Sequence, residues 1–244
     1  MSHETLVLLP GLMCDRAVWQ PQIGALEEAW RCVVVDYGGA DSLAAMAQLA
    51  LEAAPPRFAL AGHSMGGRVA LEMLRSMPQR ITRVALLDTG YQAWPDEKAG
   101  AAEAAQRLRL LELARTQGMR AMGREWVQGM VHPERLWDEP LVESILEMIE
   151  RKTPEIFAAQ IGALLSRPSA EGVLRAIGCP TLIGCGRQDL WSPLARHEAM
   201  ARLVPGARLE IIENSGHMVT MERPEQVRSA LRLWLAGSRT AAQS

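Results

Sequence analysis

No stretch of this 244-residue sequence approaches the roughly 20 consecutive apolar residues that a bilayer-spanning helix needs. The first residues, Met1 to Thr5, are polar and too few to hold the apolar region of a secretory signal. A membrane is therefore excluded as a partner, and a cytoplasmic location is the expectation. Metal-binding spacing is missing too. The four cysteines, Cys14, Cys32, Cys179 and Cys185, form no C-x-x-C pair, and the five histidines form no H-x-x-x-H pair, so no metal is expected. Cys32 and Cys185 stand inside apolar runs and read as small buried hydrophobes with free thiols. An excess of one charge is also absent. The 26 basic and 28 acidic residues leave a formal net charge of -2, which gives nucleic acid no electrostatic footprint. Aromatics make up only 5%, but seven of them are Trp, and 13 Met accompany them; both types fill cores and adaptable apolar pockets. What remains is a globular composition, 48% hydrophobic and 22% charged, on a chain long enough to bury a substantial core.

Short, nearly continuous apolar runs recur along the chain: Leu6 to Leu9, Cys32 to Val35, Phe58 to Ala61, Val84 to Leu87, Thr181 to Ile183 and Leu209 to Ile212. Runs without alternation are the mark of strands buried on both faces of a parallel sheet. Helical periodicity lies between them. Ser42 caps one stretch, Met65 to Met77 forms another, Pro193 to Leu203 follows Ser192 as N-cap, and Pro224 to Leu235 closes the pattern. Such alternation specifies an α/β domain with right-handed crossovers. It fails between about Tyr91 and Gly178, where only helices are expected: Glu97 to Gln117, Met119 to Met130, Leu141 to Arg151 and Thr153 to Leu165. The chain therefore divides into an α/β core, residues 1–90 and 179–244, and a helical insertion, residues 91–178, that reads as a cap or lid. The polar tail from Gly237 to Ser244 is expected to fray.

Gly62-His63-Ser64-Met65-Gly66 follows an apolar run and opens a helix. A G-x-S-x-G in that context is a nucleophile elbow, because a strand turning sharply into a helix needs small residues on either side of the serine. A serine hydroxyl is a weak nucleophile at neutral pH and requires a base. Of the five histidines, His3 is terminal, His63 lies in the elbow with its side chain directed away from Ser64, His132 is in the insertion and His197 is inside an expected surface helix. His217, after the last strand, reaches the carboxyl edge where Ser64 emerges. The acid that orients the imidazole is Asp189, in the Gly-rich loop Gly186 to Leu190, on the chain order Ser, Asp, His. Asp88, at the end of the strand after the elbow, stays open as the alternative. Trp126, Met130 and Trp191 are candidates for a substrate pocket, and Met119, Met122, Trp137 and Met148 offer further apolar surface. Arg120 and Arg124, four apart, read as a solvated face, and Arg68 as pointing to solvent or a salt bridge.

These residues resemble the α/β-hydrolase superfamily, and the resemblance covers nearly the whole chain. Leu8-Leu9-Pro10-Gly11-Leu12 looks like its oxyanion loop, Gly62 to Gly67 like the elbow, Gly186 to Pro193 like the acid loop, and Gly216-His217 through Glu222-Arg223-Pro224 like the histidine loop and closing helix. The nearest relatives in kind are small capped esterases, enol-lactonases and carbon–carbon bond hydrolases. The resemblance implies an α/β-hydrolase fold with a mostly parallel sheet of about six strands, helices on both faces and a helical cap. It also implies no cofactor, and an oxyanion hole from the backbone N–H groups of Leu12 and Met65. Pro10 departs from the usual histidine of the oxyanion loop, and the antiparallel pair that commonly precedes the first parallel strand is absent. The expected activity is hydrolysis of a carboxylic ester, lactone or thioester of a small to medium apolar acyl substrate through an acyl-enzyme. Carbon–carbon bond hydrolysis or lysis on the same triad is one alternative; a slow-turnover ligand receptor on this fold is another. Because an uncharged histidine is the base, activity is expected to fall as pH drops through about 6.5.

Overall fold

The computed structural model describes residues 4–95 and 97–237. Six strands form one sheet: β1 (Glu4–Leu9), β2 (Trp30–Val34), β3 (Phe58–His63), β4 (Ile81–Leu87), β5 (Thr181–Gly186) and β6 (Arg208–Ile212). Every pairing is parallel, and the spatial order is β2-β1-β3-β4-β5-β6. The expectation of a parallel sheet of six strands is met. The first connection steps outward from β1 to β2 and the next returns past β1 to β3. Right-handed crossovers in opposite directions put helices on opposite faces. Thus α1 (Gln20–Leu26) packs on one face with α11 (Pro224–Ala236), while α2 (Leu43–Ala53) and α3 (Met65–Ser76) share the other with α9 (Leu194–Leu203). The order reverses between β1 and β3, and that is where a crevice opens at the carboxyl edge.

Burial follows strand position. All of β3 and β5, and all but the first residue of β1, are buried, whereas β2 and β6 at the sheet edges are half-exposed. Cys185 on β5 is therefore in the core, but Cys32 on β2 is only half-buried, contrary to expectation, because an edge strand has one side uncovered.

Among its described residues, the insertion holds helices and no strand: α4 (Glu97–Gln117), α5 (Met119–Trp126), α6 (Glu139–Glu150), α7 (Pro154–Leu165) and the short α8 (Glu171–Arg175). Local caps set the boundaries. Asp138 accepts from the N–H of Leu141 and Thr153 from that of Ile156, each with a proline in the first turn of its helix. The helix expected from Met119 to Met130 ends early, at Trp126, and tightens into a 3-10 turn over Val127–Gly129. Ser192 does not cap α9. Pro193 occupies the flanking position, and the Ser192 hydroxyl donates to the carbonyl of Thr89 instead. Nor is α9 a simple surface helix, since His197 is fully buried. No described helix is long and apolar enough to cross a membrane. The tail expected to fray lies, beyond Gly237, outside the described residues. A short α10 (Val219–Glu222) precedes α11.

The last helix is tied to the sheet by a buried cation. Arg83, on β4, donates from Nη1 to the carbonyls of Trp234 at 2.8 Å and Leu235 at 2.7 Å. These are carbonyls that a helix end leaves without intrahelical partners. Arg83→Met is expected to lower stability by roughly 1–3 kcal/mol in urea unfolding at pH 7. An unchanged midpoint would show that water replaces the guanidinium at no cost.

Candidate active site

Ser64 sits between β3 and α3 at φ 54°, ψ -117°, a left-handed backbone conformation that a residue with a side chain rarely adopts. The turn closes because its flanks carry no Cβ. A Cβ on Gly62 would lie 2.4 Å from the carbonyl oxygen of Gly66, and one on Gly66 would lie 2.2 Å from that of Leu9. The Ser64 N–H donates to the carbonyl of Leu87 at 2.8 Å, and the Thr89 hydroxyl donates to the Ser64 carbonyl at 2.7 Å. The strained residue is thus held from both sides.

Three side chains from three loops meet here. Ser64 Oγ is 2.7 Å from His217 Nε2, and His217 Nδ1 is 2.7 Å from Asp189 Oδ2. With the Nδ1–H given to the carboxylate, Nε2 is left as the acceptor for the serine proton. The other oxygen, Asp189 Oδ1, accepts from the N–H groups of Trp191 at 2.8 Å and Ser192 at 2.9 Å. Burial raises the Asp189 carboxyl, but the charge and N–H of His217, together with those two backbone donors, outweigh it and hold it below the ordinary value. Asp88 is in a different state. Its Oδ1 accepts from the N–H of Gly186 at 3.0 Å, its Oδ2 is 3.5 Å from His63 Nε2, and it makes no bond to His217. Burial first, and then the neighbouring Asp189 charge, push Asp88 well above its usual range. The two carboxyl groups are thus driven in opposite directions, Asp189 toward its charged form and Asp88 away from it.

Second-layer contacts fix the histidine loop. His63, buried, donates from Nε2 to the carbonyl of His217 at 2.8 Å, and burial lowers its pKa. The His217 N–H donates to the carbonyl of Met130 at 2.7 Å, so the insertion supplies an acceptor to the loop. Glu222, buried, accepts from Gly216 at 3.0 Å and Met218 at 3.2 Å on one oxygen, and from His132 at 2.7 Å on the other. Gln160, from α7, likewise accepts the N–H of Met13 beside the β1 loop at 2.8 Å. Sequence periodicity could not identify Glu222 or Gln160, because the bonds of Glu222 to His132 and of Gln160 to Met13 join residues far apart in the chain.

A cavity of ≈ 440 Å³ opens over Ser64 and His217. Leu12, Met65, Trp126, Met130 and Trp191 all line it. Trp137 does not; it is 87% exposed. Met119, Met122 and Met148 are buried in packing away from it. Arg120 stays on the surface, paired with Glu143 and Glu150. Arg68, by contrast, lines the cavity instead of pointing to solvent, together with Arg107, Arg167 and Arg196. The one hint in the sequence was its position, one helical turn after Ser64. Among the described residues, no group of His, Cys, Asp and Glu is arranged to hold a metal ion.

Residues 6–230 match the alpha/beta hydrolase family. The chain belongs to that family. Among curated proteins, this α/β-hydrolase is similar to the pimeloyl-acyl-carrier-protein methyl ester esterase of Nitrosomonas europaea, 27% identical over 91% of each chain. It is also similar to the (E)-2-((N-methylformamido)methylene)succinate hydrolase of Acinetobacter baylyi, 27% identical over 95% of this chain and 90% of that one. Among solved structures, a thermophilic esterase from Thermogutta terrifontis superposes with a TM-score of 0.81 at 29% identity, covering 96% of this chain and 90% of that one. The enol-lactonase of Burkholderia xenovorans superposes with a TM-score of 0.83 at 22% identity, over 97% and 93% of the two chains, which shows a shared fold. With its Ser-His-Asp geometry, the α/β-hydrolase described here is an esterase-like serine hydrolase.

Two predictions concern the supports of the site. His197 Nε2 accepts the N–H of Thr89 at 3.0 Å, and burial pushes its pKa down to about 4. A folded-state pKa below the unfolded value gives stability that is complete above about pH 6.5 and lost as pH falls toward the folded value. Between pH 7.5 and 4.5 the wild type should lose roughly 2–3 kcal/mol more in urea unfolding than His197→Gln, whose amide oxygen keeps the acceptor. Equal losses would mean that His197 is not buried neutral. Glu222→Gln, which weakens acceptance from three backbone donors, is expected to cost about 1–3 kcal/mol and to broaden the histidine-loop signals in amide NMR. Unshifted Gly216 and Met218 amides would contradict this role.

Proposed function

We propose that this hydrolase cleaves a carboxylic ester, lactone or thioester of a small to medium acyl substrate through an acyl-enzyme. The reading rests on one observation above all: the unbroken relay of 2.7 Å from Ser64 Oγ to His217 Nε2 and 2.7 Å from His217 Nδ1 to Asp189 Oδ2, at the wall of a substrate-sized cavity. His217 takes the Ser64 proton as Oγ attacks the carbonyl carbon, and Asp189 stabilises the imidazolium that results. The oxyanion is received by the N–H groups of Leu12 and Met65. Met65 is the first residue of α3, so its N–H has no carbonyl one turn back to bind, and the N–H of Leu12 has no acceptor among the described residues. Donors preorganised in this way are worth about 3 kcal/mol each in the transition state. His217 then returns its proton to the leaving alcohol and activates water against the acyl-enzyme.

Leu12, Trp126, Met130 and Leu164 supply apolar walls for the acyl chain. The insertion, residues 91–178, acts as the cap that completes the cavity. The names of the relatives, a methyl ester esterase and a hydrolase among them, support a hydrolytic reading that includes esters.

The test is steady-state hydrolysis of p-nitrophenyl esters from acetate to laurate by wild type and Ser64→Ala. Turnover that peaks at one chain length and vanishes in Ser64→Ala is expected. No turnover above the mutant background would move the assignment to carbon–carbon substrates or to a ligand receptor. On the best ester, Asp189→Asn should lower kcat/KM about 10³–10⁴-fold, and Asp88→Asn less than about tenfold. The reverse ranking would make Asp88 the acid.

A further inference from the structure

The cavity that holds Ser64 is lined by four arginines but by few groups able to neutralise them. Glu103 is shared by two of the four. Arg107 reaches it from Nε at 2.9 Å and Nη2 at 2.8 Å, and Arg167 from Nη1 at 2.9 Å and Nη2 at 2.8 Å. Both of these guanidinium groups also stack on indoles, Arg107 at 5.2 Å from Trp191 and Arg167 at 4.9 Å from Trp94. Asp189 is engaged by His217, and burial drives Asp88 toward its neutral form.

Among the described residues, no carboxylate lies within ion-pair distance of Arg68 or Arg196. Arg68 Nη1 donates to the carbonyl of Gln92 at 2.9 Å, and Arg196 Nη1 donates to that of Trp191 at 3.1 Å. The two groups converge over Gly90. A Cβ there would lie 3.0 Å from Arg68 Nη2 and 3.3 Å from Arg196 Nη1, so a side chain at this position would fill the space between them. Their carriers are the catalytic elements themselves: Arg68 stands one turn into the helix that follows Ser64, and Arg196 in the helix that follows the Asp189 loop. Burial, and then the charges of Arg167 and Arg196, lower the Arg68 pKa to about 9, which reports how poorly its positive charge is compensated. Two half-buried like charges held close together, with no described carboxylate paired to either, favour an anion that arrives to share them.

We propose that Arg68 and Arg196 form an anion-binding subsite of the catalytic cavity that seats a carboxylate carried by the substrate, so that the enzyme acts on carboxylate-bearing esters such as the half-esters of short dicarboxylic acids. This rests on the ester-hydrolase reading above. A guanidinium pair suits a planar carboxylate because each group presents parallel N–H donors to its oxygens. A cavity of ≈ 440 Å³ limits the distance between that carboxylate and the scissile carbonyl to a short chain. The apolar wall of Trp126, Met130 and Leu164 then covers the methylenes between the two polar ends.

The first measurement does not depend on turnover. Glutarate, glutaramide and inorganic phosphate are titrated calorimetrically, at low ionic strength, into wild type, Arg68→Met, Arg196→Met and Arg196→Lys. Glutarate should bind the wild type at least tenfold more tightly than glutaramide or phosphate, weaken at least tenfold in each Met variant, and recover only part of that loss in Arg196→Lys, whose ammonium keeps the charge but not the paired donors. Glutarate binding equally to all four proteins, or not at all, overturns the subsite. Phosphate binding in preference, with the same dependence on arginine, overturns the carboxylate assignment. Urea unfolding accompanies each variant. Removing an uncompensated cation should leave the midpoint at or above that of wild type, whereas a large drop would make these arginines structural and sink the proposal.

The second measurement is the ratio of kcat/KM for monomethyl glutarate to that for methyl valerate, which should fall at least tenfold in the Met variants. If the wild type binds glutarate through these arginines but hydrolyses neither ester, the ester reading fails and the subsite stands. If it hydrolyses both esters with a ratio indifferent to the arginines, the hydrolase stands and the subsite falls.

Discussion

The close approach of backbone at the elbow is the constraint from which the rest of the site follows. With Gly62 against the Gly66 carbonyl and Gly66 against the Leu9 carbonyl, Ser64 has no room to adopt a relaxed conformation. A residue held there costs on the order of 1–3 kcal/mol and survives only where its surroundings over-determine it. The determinants are visible in a chain of bonds. Leu87 takes the Ser64 N–H, Thr89 gives its hydroxyl to the Ser64 carbonyl, and His197, on α9, takes the Thr89 N–H. The Ser192 hydroxyl adds a second hold on Thr89, at its carbonyl. The acid loop and the nucleophile are thereby coupled through the end of β4 without touching each other.

The helical insertion is part of this framework as well as a cover for it. Met130 provides the acceptor for the His217 N–H, His132 is tied to Glu222, and Gln160 holds Met13 beside the first strand. Movement of the insertion as a rigid lid would break these bonds and disturb the imidazole.

Much of this was legible in the amino-acid sequence, for identifiable reasons. Glycines at positions 62 and 66 satisfy a steric demand that any chain must meet locally, so the elbow shows in five residues. The continuous apolar runs betray the central strands, because burial on both faces leaves no place for polar alternation. Chain order pointed to Asp189 over Asp88, and the distances to His217 agree. What escaped the sequence depends on which elements become neighbours. His197 and Ser192 look like surface-helix residues until α9 is seen against the end of β4. Cys32 follows an apolar run like the others, but lies on a strand that ends the sheet. Arg68 reads as solvent-facing because nothing local reveals that Arg196 and Gly90 will meet it across the cavity.

The central claim, that the strained Ser64 is the activated nucleophile, is tested most directly by covalent labelling. The protein is treated with a fluorophosphonate and the adduct located by peptide mass spectrometry. One adduct per chain, on Ser64, with its rate falling as His217 is protonated and vanishing in His217→Ala, is the predicted result. An adduct on another residue, or ester turnover that persists in a fully labelled protein, would contradict it.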